Sequence, residues 1–238
     1  MSLFVLSDTH LSESSGKPMV IFGPRWTDYT EKIQKNWLRV VSPGDTVVIP
    51  GDISWAMTLA EAEKDLLLLG HLPGRKILGR GNHDYYWTSL SKMKTFLQQK
   101  GVENIDFLQN NAFLCDGRIV TGTRGWYACA ADAPDGADFE KITARELLRL
   151  EMSLKAGEKL NAQNGGQQEM ITFFHFPPVF GDYVNRAALE LLKAFGVKRV
   201  YYGHIHGLYN LPFQREIEGV RFTLAAADFL NFCPLIIN

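Results

Sequence analysis

The sequence predicts an α/β fold, and two observations carry that prediction. Short apolar, β-branched runs alternate along the chain with longer stretches patterned as helices. The chain also has 238 residues of which 46% are hydrophobic, enough to bury a substantial core as one domain or one domain with an insertion.

Six strands are predicted, over Leu3–Ser7, Thr46–Pro50, Lys76–Gly79, Arg118–Gly122, Met170–Phe174 and Arg199–Tyr202. The tail from Leu208 to Ala226 reads as two or three antiparallel strands, with turns at Glu218-Gly219 and around Leu211-Pro212. Helices are expected between the strands. Thr27–Val41 carries apolar positions at Ile33, Trp37, Leu38 and Val41, and Ser42-Pro43-Gly44 stops it. Leu59–Leu69 begins after Thr58, an N-cap residue type with Glu61 three positions on. Ser89–Gln99 has the same form and ends at Gly101. The longest helix, Asp138–Asn161, ends before Gly165-Gly166, and Asn185–Phe195 closes at Gly196.

No repeat, low-complexity tract or linker divides the chain, so 1–238 reads as a single domain. Arg124–Ala137 is its least patterned part, and loops of that length are usually functional or disordered. With the long helix after it, the stretch 124–165 is a candidate lid insertion over one face.

Charged residues make up 21% of the chain and the formal net charge is −1, which argues against a protein that coats nucleic acid. A nuclease gripping a short stretch stays open. No apolar run is long enough to span a bilayer, and the start of the chain lacks a basic leader, so no membrane partner is expected. Cys115, Cys129 and Cys233 are far apart and read as reduced thiols of a cytoplasmic protein.

Chemistry-bearing residues follow five of the predicted strands. They are Asp8-Thr9-His10, Gly51-Asp52, Gly81-Asn82-His83-Asp84, His175 and Gly203-His204-Ile205-His206. Ligands of α/β sheets bind at the carboxyl ends of strands, so five such ends with chelating groups imply one convergent site. Of six histidines only His71 lies elsewhere, in a predicted loop after a helix.

Spacing suggests roles. In an extended segment residues i and i+2 point the same way, so Asp8 and His10 could reach one ion together. His204 and His206 share a side likewise, and could serve one ion or two neighbouring ions. Asp52 is the best candidate for a bridge, because one carboxylate has two oxygens and its charge offsets repulsion between adjacent cations. Asn82 adds a neutral amide oxygen. The mixed imidazole and carboxylate set suits Mn, Fe, Zn, Co or Ni better than Ca or Mg, with Mn favoured, and exceeds what one tetrahedral zinc uses. Two divalent ions are therefore expected. His83 is the odd one out: Asp84 could accept from one ring nitrogen and orient the other toward substrate, as in a general acid.

The series Asp-x-His, Gly-Asp, Gly-Asn-His-Asp, His and Gly-His-x-His, in this order from Asp8 to His206, resembles the calcineurin-like metallophosphoesterase superfamily. The chain is similar to its compact bacterial members of unassigned substrate. The resemblance implies a four-layer αββα sandwich of two mixed sheets flanked by helices. It implies that Asp8, His10, Asp52 and His206 hold one metal, and that Asp52, Asn82, His175 and His204 hold the second. It makes His83 the acid or phosphate-binding histidine and Asp84 its partner.

The expected reaction is hydrolysis of a phosphomonoester or phosphodiester. Two ions about 3.5–4 Å apart would bind the phosphate oxygens and bring the pKa of a water toward neutrality. His83 would protonate the departing alkoxide, and a nearby cation would steady the equatorial oxygens. Arg124, Arg80 and Arg25 are the candidates for that cation, with Trp26 at the rim. A small phosphate-ester substrate is favoured over nucleic acid. An amide or lactone hydrolase fits poorly, since the early His-x-His string of such enzymes is missing. A non-catalytic, metal-stabilised scaffold would have no need of the His83-Asp84 pair.

Overall fold

The computed structural model describes residues 1–238. Its main strands are β1 (Leu3–Val5), β2 (Thr46–Ile49), β3 (Arg75–Leu78), β4 (Ile105–Phe107), β5 (Phe113–Cys115), β6 (Arg118–Thr123) and β7 (Glu169–Phe174). A short hairpin of β8 (Val179–Phe180) and β9 (Tyr183–Val184) precedes β10 (Arg199–Tyr202), β11 (Gln214–Ile217), β12 (Val220–Leu224) and β13 (Leu235–Ile237). The helices are α1 (Tyr29–Val40), α2 (Glu63–His71), α3 (Leu90–Gln99), α4 (Phe139–Gln163) and α5 (Arg186–Ala194).

One sheet runs β13-β1-β2-β3-β4, parallel except for β13. The other runs β11-β12-β10-β7-β6-β5, with four parallel inner strands and an antiparallel strand at each edge. Alternation along each strand sorts the side chains into layers. Leu3, Val5, Val48 and Ile77 of the first sheet share a core with Val120, Ile171, Phe173 and Tyr201 of the second. Their neighbours Phe4, Val47, Ile49 and Leu78 turn outward, onto Trp37 of α1, Leu66 of α2 and Met93 of α3. On the far side Ile119, Met170, Val200 and Tyr202 pack on Leu150 and Leu154 of α4 and Leu189 of α5. The result is the expected four-layer sandwich of two mixed sheets with helices outside.

The predicted elements stand with small shifts at their ends. Ser89, Asp138 and Asn185 cap α3, α4 and α5 by accepting N–H bonds three residues on. Glu61 N donates to the Thr58 hydroxyl at 3.3 Å, while the Glu61 carboxylate accepts from Met57 N, one residue before Thr58, at 2.8 Å. These bonds close a turn, and the helix starts later, at Glu63. His71 ends α2 instead of lying in the loop beyond it, and is exposed.

In the tail, β11 and β12 form a hairpin whose turn residues Glu218 and Gly219 both have positive φ, the two-residue geometry that suits a hairpin twist. Leu208–Phe213 is turn, not strand, and β12 pairs parallel to β10, so the tail is not simply antiparallel. β4, β5 and β13 were not expected, because three-residue strands offer too few alternations to read.

The stretch 124–165 divides in two. Helix α4 connects the adjacent parallel strands β6 and β7 and is seated on them through buried Leu150, Leu154 and Gly157. It is therefore a layer of the sandwich, while Arg124–Ala137 is the loop that borders the site. No helix is long and apolar enough to cross a membrane.

Candidate metal centre

The two sheets are stitched together where their strands end. Ser7 N donates to Ala225 O at 2.8 Å and Ala227 N to Ser7 O at 2.9 Å, joining the ends of β1 and β12. The loops after β1 and β2 are zipped in turn by Asp8 N to Gly51 O, His10 N to Asp52 O and Leu11 N to Ile53 O. These bonds draw the ends of β1, β2 and β12 together. Gly79 N to Ile49 O, Gly203 N to His175 O and Ala225 N to Tyr202 O link the ends of β3, β7 and β10 to them.

Two donor groups result. Asp8, His10 and His206 present ligand atoms within 4.8 Å of one another, and Asp52, His175 and His204 do the same. Asn82 joins the second group, its Oδ1 lying 2.6 Å from His175 Nε2 and 3.1 Å from His204 Nδ1. Asp52 Oδ2 lies between the groups, 3.7 Å from His10 Nε2 and 3.5 Å from His175 Nε2. His204 and His206, whose division spacing alone left open, thus fall into different groups.

The backbone that achieves this is not extended. Asp8, His10, Asp52 and His204 all have φ between 45° and 69°, the left-handed region that non-glycine residues rarely occupy. Asp8 and His10 therefore converge through two tight bends and not through the alternation of a strand. Such strain persists only where surrounding bonds over-determine it, and it concentrates at functional sites. Two glycines make the approach close enough: a Cβ at Gly81 would overlap the Asp52 carboxylate, and one at Gly203 the Asp8 carboxylate.

Asp84 departs from its expected role. Its carboxylate is buried and accepts N–H bonds from Asp52 at 2.9 Å, Ile53 at 2.8 Å, Ser54 at 3.3 Å and Gly81 at 2.7 Å. It does not bond the His83 ring. The peptide N–H groups of two converging loops claim both oxygens, so Asp84 holds the bends that carry Asp52 and Asn82. The His83 ring packs 4.2 Å from the Trp55 ring, and its Nδ1 faces the Tyr85 hydroxyl at 3.4 Å.

The three arginines separate. Arg80 and Arg124 line one cavity, together with Arg149 and Glu146. Arg25 is on the other side of the site, donating to Asp228 O at 3.0 Å and lying 3.7 Å over the Tyr209 ring. Trp26 is buried against His10 and His206 instead of standing at the rim.

Residue 228 escaped the sequence reading. Asp228 Oδ1 lies 2.8 Å from His206 Nδ1, and Oδ2 accepts from Gly207 N and the Tyr209 hydroxyl. The signal was present: Ala225-Ala226-Ala227-Asp228 puts a carboxylate just past a strand, as in the five motifs, but no neighbouring His or Gly marked it. Lys17 was missed too. Its Nζ sits 3.2 Å over the Trp55 ring beside His83.

A family model described as calcineurin-like phosphoesterase matches residues 1–208. The chain belongs to the calcineurin-like phosphoesterase family. It is thus a metal-dependent phosphoesterase, a hydrolase with two candidate metal-binding groups. Among solved structures it is similar to a protein of unknown function from Aquifex aeolicus, with TM-score 0.51 and 18% identity over 99% of this chain and 95% of that one. It is also similar to a phosphopantetheinyl hydrolase from Mycobacterium tuberculosis, with TM-score 0.54 and 14% identity over 99% and 95%. At such identities the likeness shows the fold alone. No curated protein sequence matches the chain.

The residues present fit the metals of a calcineurin-like phosphoesterase. Burial drives the pKa values of His10 and His175 well below the usual imidazole value and lowers that of His204 to about 4, so these three rings are neutral lone-pair donors. It lowers His83 to about 4 as well, so a proton on His83 requires an anion beside it. His206 differs: burial opposes its charge, but the Asp228 and Asp8 carboxylates overcome that and push its pKa up to about 10. A cation would take the place of that second proton while Asp228 keeps the first on Nδ1. Burial, then the charges of Asp84 and Asp8, raise Asp52 well above the carboxylate range. Buried carboxylates this close call for a cation between them.

A second, apolar cavity adjoins the first group. Met19, Phe22, Trp26 and Trp55 line it with His10, His83 and His206. Phe22 is half exposed at its mouth.

Proposed function

We propose that the chain hydrolyses a phosphomonoester or phosphodiester at a dinuclear centre bridged by Asp52. The observation that carries this is Asp52 Oδ2, one oxygen within 3.7 Å of His10 Nε2 and 3.5 Å of His175 Nε2. Asp8, His10, Asp52 and His206 would hold one divalent transition ion, and Asp52, Asn82, His175 and His204 the other, with Mn the first metal to test. When bound, the ions supply Lewis acidity, neutralising phosphate charge and making a water acidic near neutral pH.

The chain's own groups do the rest. Asp84 fixes the loop bends, so the donors are set before substrate arrives. His83 is the general acid. Tyr85 occupies its Nδ1 side, which leaves Nε2 to deliver a proton to the leaving oxygen. The phosphate's negative charge beside the ring favours its protonated form. The apolar cavity next to His83 receives the organic leaving group and excludes water from that transfer.

The test combines metal content with hydrolysis of 4-nitrophenyl phosphate and bis(4-nitrophenyl) phosphate in added Mn2+. Asp52→Asn is expected to lose metal and turnover together. His83→Asn is expected to keep its metal and to lose roughly a hundredfold or more in kcat. Full activity in Asp52→Asn would sink the bridged centre, and metal loss in His83→Asn would sink the assignment of His83.

A further inference from the structure

The cavity lined by Arg80, Arg124, Arg149, Glu146, Thr123 and Gln109 has a volume of about 100 Å3, room for several waters and so for one small anion. It lies between the loops after β3, β4 and β6 and helix α4. Its charge is unbalanced. Three guanidinium groups face one carboxylate, leaving a surplus of two positive charges in a chain whose net charge is −1.

Glu146 is already committed. It pairs with Arg149 Nη1 at 2.7 Å, lies 3.4 Å from Arg124 Nη2, and accepts from the Thr123 hydroxyl at 3.0 Å. Arg80 has no carboxylate partner. Arg124 is largely buried, yet its Nε has no hydrogen-bond acceptor. Arg124, withdrawn from water with its Nε unpaired, is destabilising unless an acceptor completes its set, and the guanidinium fork fits an oxyanion bidentately.

The cavity also stands beside the centre. Arg80 immediately precedes Gly81-Asn82, and Arg124 O accepts from Phe176 N at 2.8 Å, next to His175. Tyr127, three residues after Arg124, has its ring 5.8 Å from that of His204. Arg80 and Arg124 thus stand on the side of the Asn82, His175 and His204 group, whereas the apolar cavity adjoins the His10 and His206 group.

We infer that this cavity binds a second oxyanion of the substrate, a phosphate or carboxylate distinct from the ester being cleaved. The inference rests on the phosphoesterase reading and narrows it to substrates with two anionic groups, such as bisphosphates or phosphorylated acids.

Two measurements test it. In the first, the protein is stripped with EDTA and titrated with inorganic phosphate while thermal denaturation is followed. Phosphate should raise Tm in the wild type and in Asp52→Asn, and the rise should vanish in the Arg80→Gln, Arg149→Gln double variant. Should that double variant fail to fold, Arg80→Gln alone gives the same reading, since Arg80 is exposed. In the second, the Mn2+-loaded enzyme is given alkanediol bisphosphates of two to six carbons beside the matching monoalkyl phosphates. A preference of about tenfold or more in kcat/KM is expected for a bisphosphate of one chain length, collapsing toward one in the double variant. No phosphate-dependent Tm in the stripped wild type, or an undiminished one in the double variant, overturns the anion site. Phosphate binding without any bisphosphate preference overturns its role in substrate selection. Hydrolysis of no ester at all defeats the phosphoesterase reading, and the stripped-protein titration still decides the cavity.

Discussion

At the scale of single residues, Asp228 governs how His206 meets the centre. Its carboxylate, fully buried, holds Nδ1 at 2.8 Å and so turns Nε2 inward, to 3.7 Å from Asp8 Oδ1. Partners of this kind fix the tautomer and ring orientation of metal-ligating histidines, and removing them typically weakens metal binding 10–100-fold. Asp228→Asn is therefore expected to lower Mn2+ affinity by about that factor while circular dichroism stays native, with isothermal titration as the check; unchanged affinity would refute the positioning role. Asp8, His10, Asp52, Asn82, His175, His204 and His206 were legible from the sequence because their residue types recur just past predicted strands. The bend geometry behind Asp8 and His10 was not, since left-handed backbone at a non-glycine residue is imposed by cross-loop bonds such as His10 N to Asp52 O. Asp84 shows the same limit: its type and position suit a partner for His83, and only the approach of two loops turns it onto four peptide N–H groups.

At the scale of elements, α4 separates reading from folding most clearly. Its boundaries could be read from the Asp138 cap and the Gly165-Gly166 stop, but its place could not. A long amphipathic helix after an unpatterned loop suits a lid as well as a crossover. What decides is the close seat on β6 and β7, where Gly157 leaves no room for a side chain against Thr121 and Ile119. Leu154, fully buried on that seat, should cost about 2–5 kcal/mol as Leu154→Ala. Leu148, 61% exposed on the same helix, should change stability by less than about 0.5 kcal/mol as Leu148→Ala. Urea denaturation of the two variants checks this, and equal small effects would mean the helix is not a core layer. The short strands β4, β5 and β13 were illegible for a different reason: they are specified by the neighbours they pair with.

At the scale of the whole molecule, the centre sits where two sheets meet and gathers buried Asp8, Asp52 and Asp84 with five buried or half-buried imidazoles. Cations bound there would stabilise the folded state alone. At a hundredfold excess over Kd that linkage is worth about 3 kcal/mol. In a domain of this size it corresponds to a Tm rise of roughly 6–12 °C. Adding EDTA should reverse it in a calorimetric scan. A Tm indifferent to Mn2+ and EDTA would speak against a metal centre built into the fold.

By itself the sequence determined the α/β class, the order of the main elements and the metal-ligand residue types, because periodicity, caps and motif spacing are local properties. Tertiary structure alone decided the rest: which donors share a group, that Asp52 stands between the groups, that Asp84 braces loops and Asp228 orients His206, and that Arg80, Arg124 and Arg149 surround one cavity. Each of these depends on bringing residues tens to hundreds of positions apart within hydrogen-bonding or ion-pairing reach. Hydrogen bonds among the strand ends, within and between the two sheets, accomplish that for the centre, and the packing of α4 on β6 does so for the arginine cavity.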